Sequence, residues 1–299
     1  MDEASFPYPH NTDPDIFREA LSYSEAITGF TSSLIEKDYY CSLILQYFFD
    51  GDTPLVFKGG TCLSKVYADF YRLSEDLDLV IPVAVDIPRN QRRSEMDSIK
   101  GMLSQLPAVI PGVAVSKEFR GHNESRQYIG CLEYPSAVMD KQESIKIEIG
   151  IREPILRSSA IVETRTIAVN PFRARPLLPA FTVHAMDMME AYAEKVRAAL
   201  TRKEPAIRDL FDLFHAVHTM KLDLNDHDFL VMVKRKLDVP GNTPIEISLK
   251  HQQKLRLQLE GQLRPVLRPA DFDRFNVDGA FELIARVADR LADKVLALD

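Results

Sequence analysis

The stretch KGGTCLSKVYADFYRLSEDLDLVI, residues 58–81, combines two glycines, an amphipathic segment and an alternating Asp-Leu-Asp-Leu sequence. A short apolar run at residues 55–57 precedes it, and a second run, residues 77–83, overlaps its end; each run is typical of a buried strand. The residues between them, 62–71, have the apolar spacing of a helix. The stretch therefore predicts a strand, a glycine loop, a helix and a second strand.

The glycine loop is a candidate anion site. The first turn of a helix presents backbone N–H groups that favour anions. Gly59 and Gly60 lack the Cβ atoms that would keep a phosphate away from the backbone, and Thr61 is placed to cap the helix. The same pattern is also typical of a purely structural tight turn. It is not a P-loop, because the sequence GxxxxGK[ST] is absent.

Carboxylates follow the predicted helix. Asp76 and Asp78 are two residues apart on the second strand, so both side chains point to one face while the intervening leucines point to the core. Two neighbouring carboxylates repel each other unless a cation lies between them, and a divalent cation with oxygen ligands is the usual partner. The segment SIKIEIGI, residues 144–151, predicts another half-buried strand with Glu148 on its outward face. Glu148 is therefore a candidate third carboxylate of a metal site.

Composition and charge restrict the class of protein. The chain of 299 residues is 45% hydrophobic and 27% charged, which is typical of a globular protein with one large or two smaller domains. No apolar run approaches the roughly 20 residues that span a bilayer, the N-terminal sequence MDEASFPYPHNTDPD lacks the features of a signal peptide, and the three cysteines have no ligand spacing. We therefore expect a soluble, cytoplasmic protein without a membrane partner. A net charge of −7 argues against a general nucleic-acid coat protein, so any RNA binding requires a local basic patch.

The pattern of the chain changes near residue 184. Before it, strand candidates lie at residues 113–119, 127–134 and 144–151, with a strand pair around 161–169 and helical segments at 17–49 and 88–112. After it, helical patterns follow one another through residue 298. We predict an α/β core lobe, residues 1–183, and a helical C-terminal lobe, residues 184–299.

The start of the helical region carries a second candidate constellation. The segment MDMMEAYAEKVRAAL, residues 186–200, places Lys195 at the border of an apolar helix face, and the turn TRKEP leads into a helix that carries Asp209. If the two helices fold back on each other, these two side chains face each other. The pair either belongs to a structural salt bridge among Lys195, Arg208, Asp209 and Asp212, which contributes little when exposed, or it is a functional pair. In the second case Lys195 contacts a triphosphate, while Asp209 orients the lysine or serves the acceptor hydroxyl.

Four segments together carry a family resemblance: KGGT, RLSEDLDL, IKIEI and EKVRAALTRKEPAIRDLFDL, in this order. These segments resemble the AbiEii/AbiGii toxins, including the MenT toxins, of the nucleotidyltransferase superfamily. The resemblance extends over about residues 34–213. The resemblance implies an α+β fold, with a DNA polymerase β-like mixed-sheet core lobe followed by a helical lobe. It also implies a Mg²⁺-dependent transfer of a nucleoside monophosphate from an NTP to an acceptor, with release of pyrophosphate.

The resemblance assigns roles to particular residues. It places the catalytic residues at Asp76, Asp78, Lys195 and Asp209. It places the nucleotide-binding residues at Lys58, Gly59, Gly60, Thr61, Ser74 and Lys195. The metal ligands are Asp76, Asp78 and Glu148, with Asp209 as the alternative third ligand.

The resemblance also implies partners. Family members are toxins neutralised by a cognate antitoxin, and MenT-like members add nucleotides to the 3′ end of tRNA, which blocks translation. The basic clusters at residues 89–93, at Arg173 with Arg175, and at residues 234–236 are the groups that could bind RNA phosphates. Two alternatives stay open: a nucleotidyltransferase that acts on a protein or a small molecule, and a catalytically inert NTP-binding protein that acts through a partner.

Overall fold

The computed structural model describes residues 8–292. Contacts between Cα atoms divide the chain into two compact units. Among the described residues, unit 1 contains residues 8–66, Leu73–Pro154 and Ala160–Ala185, and unit 2 contains Tyr67–Arg72, Ile155–Ser159 and residues 186–292. The predicted lobe boundary at residue 183 stays a prediction, and the parts of the two predicted lobes at residues 1–7 and 293–299 lie outside the described residues.

Unit 1 contains strands and the helices that pack on them. Its strands are β1 (Val56–Lys58), β2 (Asp76–Val80), β3 (Ala114–His122), β4 (Gln127–Pro135), β5 (Gln142–Gly150), β6 (Ala160–Thr164), β7 (Val169–Asn170), β8 (Arg175–Pro176) and β9 (Phe181–Ala185). Its helices are α1 (Pro9–Thr12), α2 (Pro14–Thr28), α3 (Ser32–Phe48), α4 (Gly59–Cys62), α5 (Arg89–Glu95) and α6 (Asp97–Val109). A π-helical turn, Leu63–Tyr67, continues α4.

Seven of these strands form one mixed sheet in the order β3-β4-β5-β2-β1-β9-β6, and β7 pairs with β8 in a separate hairpin. The strand β2 runs parallel to β5 and antiparallel to β1, and β1 runs parallel to β9. The outer pairs, β3 with β4, β4 with β5, and β6 with β9, are antiparallel. The predicted α+β class with a mixed sheet is therefore confirmed.

Two details of the predicted elements are wrong. The predicted helix at residues 62–71 ends at Tyr67, because Asp69 and Phe70 adopt positive φ angles of 41° and 57° that no helix continues through. The predicted strand pair at residues 161–169 is also wrong, since β6 pairs with β9 across the intervening β7–β8 hairpin. The alternation in FTVHA, with Phe181, Val183 and Ala185 buried, is the sequence signal for β9.

A buried ion pair fixes the π-helical turn to α3. Lys65 Nζ lies 2.5 Å from Asp38 Oδ1 and 2.9 Å from Ser42 Oγ, and all three side chains are buried. The other oxygen of Asp38 accepts hydrogen bonds from Thr166 Oγ1 and Ile167 N, each at 2.9 Å. A buried ion pair is tolerated only where hydrogen bonds satisfy its remaining atoms, as they do here. The segment that follows the glycine loop is thus held in place from one side.

Unit 2 is helical. Its helices are α7 (Met188–Thr201), α8 (Ile207–His218), α9 (His227–Leu237), α10 (Leu249–Arg256), α11 (Pro269–Arg274) and α12 (Val277–Ala292), with two short helical turns between α10 and α11. The side chain of Asp187 caps α7 by accepting from Met189 N and Glu190 N. None of the helices described over residues 8–292 is both long enough and apolar enough to span a membrane.

Candidate active site

The glycine loop packs directly against the Asp-Leu-Asp strand. Gly59 has a φ of +76°, a conformation that residues with a Cβ rarely adopt. A Cβ at this position would also lie 2.7 Å from the Cβ of Asp78, which is closer than two such atoms approach. Both reasons require glycine at position 59. The absence of a Cβ lets the loop backbone lie beside the carboxylate of Asp78.

Thr61 does not cap the helix as predicted. The residue at the N-cap position of α4 is Lys58, whose side chain makes no capping hydrogen bond. Thr61 is 3% exposed, and its hydroxyl donates to the main-chain oxygen of Asp76 at 2.6 Å. The side chain of Thr61 therefore ties the glycine loop to the first residue of β2, and its contact with a phosphate stays a prediction.

Charged side chains of three neighbouring strands lie opposite one another in the central sheet. In the parallel pairing of β2 and β5, Asp76 is opposite Lys146 and Asp78 is opposite Glu148. The alternating burial of β2, with its leucines buried and its aspartates half-buried, confirms that both aspartates point to the same face. Lys58 on β1 is opposite Asp78. The structure thus brings together the predicted carboxylates of two separate sequence segments.

Lys146 is the immediate partner of these carboxylates. Its Nζ atom lies 3.2 Å from Asp76 Oδ2 and 3.8 Å from Glu148 Oε2. Gln127 Nε2 donates to the other oxygen of Glu148 at 2.6 Å. Burial lowers the pKa of Lys146, but the charges of Asp76 and Glu148 outweigh it, so its pKa is raised and the side chain is a cation at neutral pH. Lys146 has no predicted role, although the alternation in SIKIEIGI places it on the same face as Glu148.

The donor chemistry of this face fits Mg²⁺. Carboxylate oxygens are the ligands that Mg²⁺ takes from proteins, and Asp76, Asp78 and Glu148 supply them from adjacent strands. Over residues 8–292, however, no three Asp, Glu, His or Cys side chains converge as a ready set of metal ligands. Two of the three carboxylates are instead within ion-pair distance of Lys146. Asp76, Asp78 and Glu148 are the residues that would hold the cation, and their role as metal ligands is a proposal.

The second constellation lies in unit 2, where α7 and α8 bring Lys195 against Asp209. Lys195 Nζ donates to Asp209 Oδ1 at 2.7 Å and lies 2.9 Å from Asp212 Oδ2. Asp209 is 2% exposed and Asp212 is fully buried, so this is not the exposed salt bridge of the structural alternative. The other oxygen of Asp209 has no hydrogen-bond partner, although Arg202 Nη1 lies 3.3 Å from it. Asp209 therefore keeps one buried carboxylate oxygen for a further hydrogen bond.

Asp212 is the centre of this network. Arg72 Nε and Nη2 donate to its two oxygens at 2.5 and 2.9 Å, and the hydroxyl of Tyr71 also donates to it. Burial alone would raise the pKa of Asp212, but Arg72 and Lys195 hold it well below its ordinary value. Burial would likewise lower the pKa of Lys195, and the two aspartates raise it instead. At neutral pH both residues are therefore charged.

The sequence predicts Asp209 as a functional residue and Asp212 only as a member of a structural salt bridge, and it predicts no role for Arg72. Asp209 and Asp212 are three residues apart on one helix, a spacing that places both on the same face, where both contact Lys195. Arg72 lies in the segment RLSED, whose pattern carries no sign that this arginine is buried. Ser74, also in that segment, is half-buried two residues before Asp76, and its predicted nucleotide contact is untested.

The predicted basic clusters differ in accessibility. In residues 89–93 the buried Arg92 donates to the main-chain oxygens of Ile87 and Glu124, and in residues 234–236 the buried Lys236 pairs with Glu190 and Glu194. Both Arg173 and Arg175 are exposed. The pair on the β7–β8 hairpin is thus the basic cluster in which each predicted cation faces solvent.

Comparison with known proteins agrees with these motifs. The sequence model of one family, "Nucleotidyl transferase AbiEii toxin, Type IV TA system", matches residues 44–294. The crystal structure of JHP933 from Helicobacter pylori is 16% identical with a TM-score of 0.51, over 88% of this chain and 93% of that chain. A second H. pylori protein, proposed to be a nucleotidyltransferase, is 16% identical with a TM-score of 0.52, over 90% of this chain and 99% of that chain. A search of curated proteins gives no significant match.

At 16% identity the two structures show that the fold is shared, and the family match extends over most of the sequence. The resemblance drawn from the four sequence segments is thereby confirmed. The chain belongs to the nucleotidyl transferase AbiEii toxins of Type IV toxin–antitoxin systems.

Proposed function

We propose that this toxin transfers a nucleoside monophosphate from an NTP to the 3′ end of a tRNA, with Mg²⁺ as cofactor, and so blocks translation in the cytoplasm. The observation that carries the proposal is the face formed by Asp76, Asp78 and Glu148 beside the Gly59 loop. Oxygen ligands next to the backbone of a glycine loop suit a metal-bound triphosphate. A cognate antitoxin is the expected protein partner, because the family is that of Type IV toxin–antitoxin systems.

Different residues of this chain have different proposed roles in the reaction. Bound Mg²⁺ supplies charge neutralisation at the α-phosphate and activation of the attacking oxygen. Asp76, Asp78 and Glu148 are the residues that would hold it. The loop at Gly59 and Gly60 presents backbone to the β- and γ-phosphates, and we assign Lys195 to the same phosphates as a counter-charge. Little covalent chemistry is required of the protein, since binding and orientation carry phosphoryl transfer.

Glu148→Gln should lower transfer and raise the Mg²⁺ concentration needed for half-maximal activity. Glutamine keeps the size of the side chain and can still hydrogen bond to Gln127, but it loses the negative charge that a metal ligand supplies. The measurement is a Mg²⁺ titration of the initial rate. A matched control is Glu133→Gln on β4, which removes a half-buried carboxylate of the same sheet that is opposite Ala114 and Ser144 rather than the site residues.

If Glu148→Gln has the Mg²⁺ dependence of wild type while Asp209→Asn is inactive, the role of third ligand belongs to Asp209. If neither variant changes the Mg²⁺ dependence, the two aspartates of β2 hold the metal without a third carboxylate from the chain.

The β7–β8 hairpin supports an RNA acceptor. At its tip Phe172 is 68% exposed and is followed by the exposed Arg173 and Arg175. Asn170 Oδ1 accepts from Phe172 N at 3.0 Å and from Arg173 N at 3.1 Å, so the turn has a defined shape. The three side chains line a groove of about 730 Å³. An exposed aromatic ring beside arginines is the combination on which single-stranded nucleic acid stacks and places its phosphates.

Reversing the charge of this hairpin with Arg173→Glu and Arg175→Glu should raise the apparent KM for tRNA at least several-fold and leave the KM for NTP unchanged. Phosphate contacts position the acceptor and do not touch the triphosphate. Binding to tRNA should weaken with salt with a slope that reflects only a few phosphates, because the net charge of the chain is −7. The double variant Lys250→Glu and Arg286→Glu changes two exposed charges of unit 2 and controls for overall charge. Equal KM values for tRNA in both double variants would remove the hairpin from RNA binding.

The acceptor itself is tested by incubating purified protein with each α-³²P-labelled NTP, Mg²⁺ and total tRNA, and separating the products on a denaturing gel. Label on RNA of tRNA length is expected. Label on the protein or on a small molecule would favour the alternative acceptors, and the absence of label from all three would favour an inert NTP-binding protein.

A further inference from the structure

Lys146 lies against the carboxylates that are proposed to bind the metal. On β5 this lysine is opposite Asp76, and two residues before Glu148, on the same face of the sheet. Its Nζ atom is 3.2 Å from Asp76 Oδ2 and 3.8 Å from Glu148 Oε2. A magnesium ion would lie about 2.1 Å from the carboxylate oxygens that bind it. The ammonium group of Lys146 and a metal ion would therefore compete for the same carboxylate oxygens.

The three carboxylates cannot bind the ammonium of Lys146 and a metal ion at full strength at the same time. The face carries three carboxylates, and Lys146 neutralises part of their mutual repulsion. A divalent cation that binds there meets the positive charge of the lysine at short range, so each cation weakens the binding of the other. A half-exposed ion pair of this kind contributes little to folding stability. The larger effect of Lys146 is therefore its competition with the divalent cation for the carboxylates.

Lys146 is able to leave its position. The side chain is 41% exposed and sits on a flexible four-carbon stem, unlike the buried Lys65 and Lys236. A triphosphate beside the carboxylates would offer the displaced ammonium new oxygens of negative charge. The nucleotide would thus remove the competitor at the same time as it brings further ligands for the metal.

We propose that Lys146 is a built-in competitor for the divalent cation, so that the carboxylates bind metal weakly until an NTP draws the lysine away. This proposal rests on the proposed function, since it takes Asp76 and Glu148 as metal ligands. Metal and nucleotide then bind with positive cooperativity, and the coupling is reciprocal. A toxin with this device takes up its metal together with its substrate.

The test is the binding of Mn²⁺, followed by electron paramagnetic resonance, to the purified full-length protein. Without nucleotide, Lys146→Met should bind Mn²⁺ about tenfold more tightly than wild type. With a non-hydrolysable NTP analogue present, the two proteins should differ by less than about threefold. Lys141→Met is the matched control, because it removes an exposed lysine next to β5 that pairs with Glu143 and not with the site. Circular dichroism shows whether each variant is folded, and Lys146→Gln replaces Lys146→Met if that variant is not.

Three outcomes would overturn the proposal. One is equal Mn²⁺ affinity in wild type and Lys146→Met, a second is an equal gain in Lys141→Met, and the third is a gain that persists in full when the analogue is present. The metal site itself is tested separately with Asp76→Asn. If this variant binds Mn²⁺ as wild type does, the proposed function has lost its metal ligands, whereas a failure confined to Lys146→Met leaves them in place.

Discussion

Replacing Asp76 with asparagine is expected to reduce nucleotidyl transfer by about 10²–10³-fold, which is the scale of losing one charge-stabilising group at a reacting centre. Asparagine has the same shape, so the loss comes from the missing negative charge. The main chain of Asp76 also contacts the glycine loop, because the Thr61 hydroxyl donates to the main-chain oxygen of Asp76. That bond is unaffected by the substitution, and the geometry of the loop should therefore be kept.

The fold should survive this change. The Asp76 side chain is 41% exposed, and its ion pair with Lys146 is of the half-exposed kind that contributes about 0–1 kcal/mol. The measurements are the rate of transfer of labelled nucleoside monophosphate and the midpoint of thermal unfolding. Glu118→Gln on β3 is the control, since it removes an exposed carboxylate from the same sheet outside the site. Turnover within a factor of two of wild type in Asp76→Asn would show that this carboxylate is not a metal ligand.

The sequence predicts the parts of this site that depend on local spacing. Asp76 and Asp78 share a face because a strand repeats every two residues, and Lys195 meets Asp209 because the turn between two amphipathic helices is short. Both relations involve segments close in sequence. Apolar periodicity and the turn residues were sufficient to place them.

The relations that were missed join distant segments. The strand β9 lies between β1 and β6, and nothing in the five residues of β9 specifies either neighbour. Arg72 and Asp212 are far apart in sequence. The sequence around an arginine does not indicate whether its side chain is buried or exposed. The role of Lys146 depends on the register between β2 and β5, which is set by the packing of the whole sheet. Register and burial are properties of the assembled fold, and a single sequence carries them only indirectly.

The buried network of unit 2 gives the largest expected effect on stability. Asp212→Asn should lower the free energy of unfolding by about 3–5 kcal/mol, because it removes the negative charge to which the buried guanidinium of Arg72 donates two hydrogen bonds. The neutral amide occupies the same volume, so no cavity contributes to the loss. Urea-induced unfolding followed by circular dichroism measures the change. Asp15→Asn is the control, since its ion pair with Arg18 is exposed and should contribute less than about 0.5 kcal/mol.

The acid dependence of stability separates a charge effect from a packing effect in the same variant. The folded pKa of Asp212 is held below the value of about 3.9 for an unfolded aspartate, so its ionised form stabilises the folded state. This contribution is complete above about pH 5 and is lost as the pH falls through the unfolded value towards the lower folded one. The difference between wild type and Asp212→Asn should therefore be largest at neutral pH and shrink below about pH 4. A difference that stays constant down to pH 3 would mean that the asparagine disturbs the packing around Arg72, and that the charge of Asp212 is not what holds this network together.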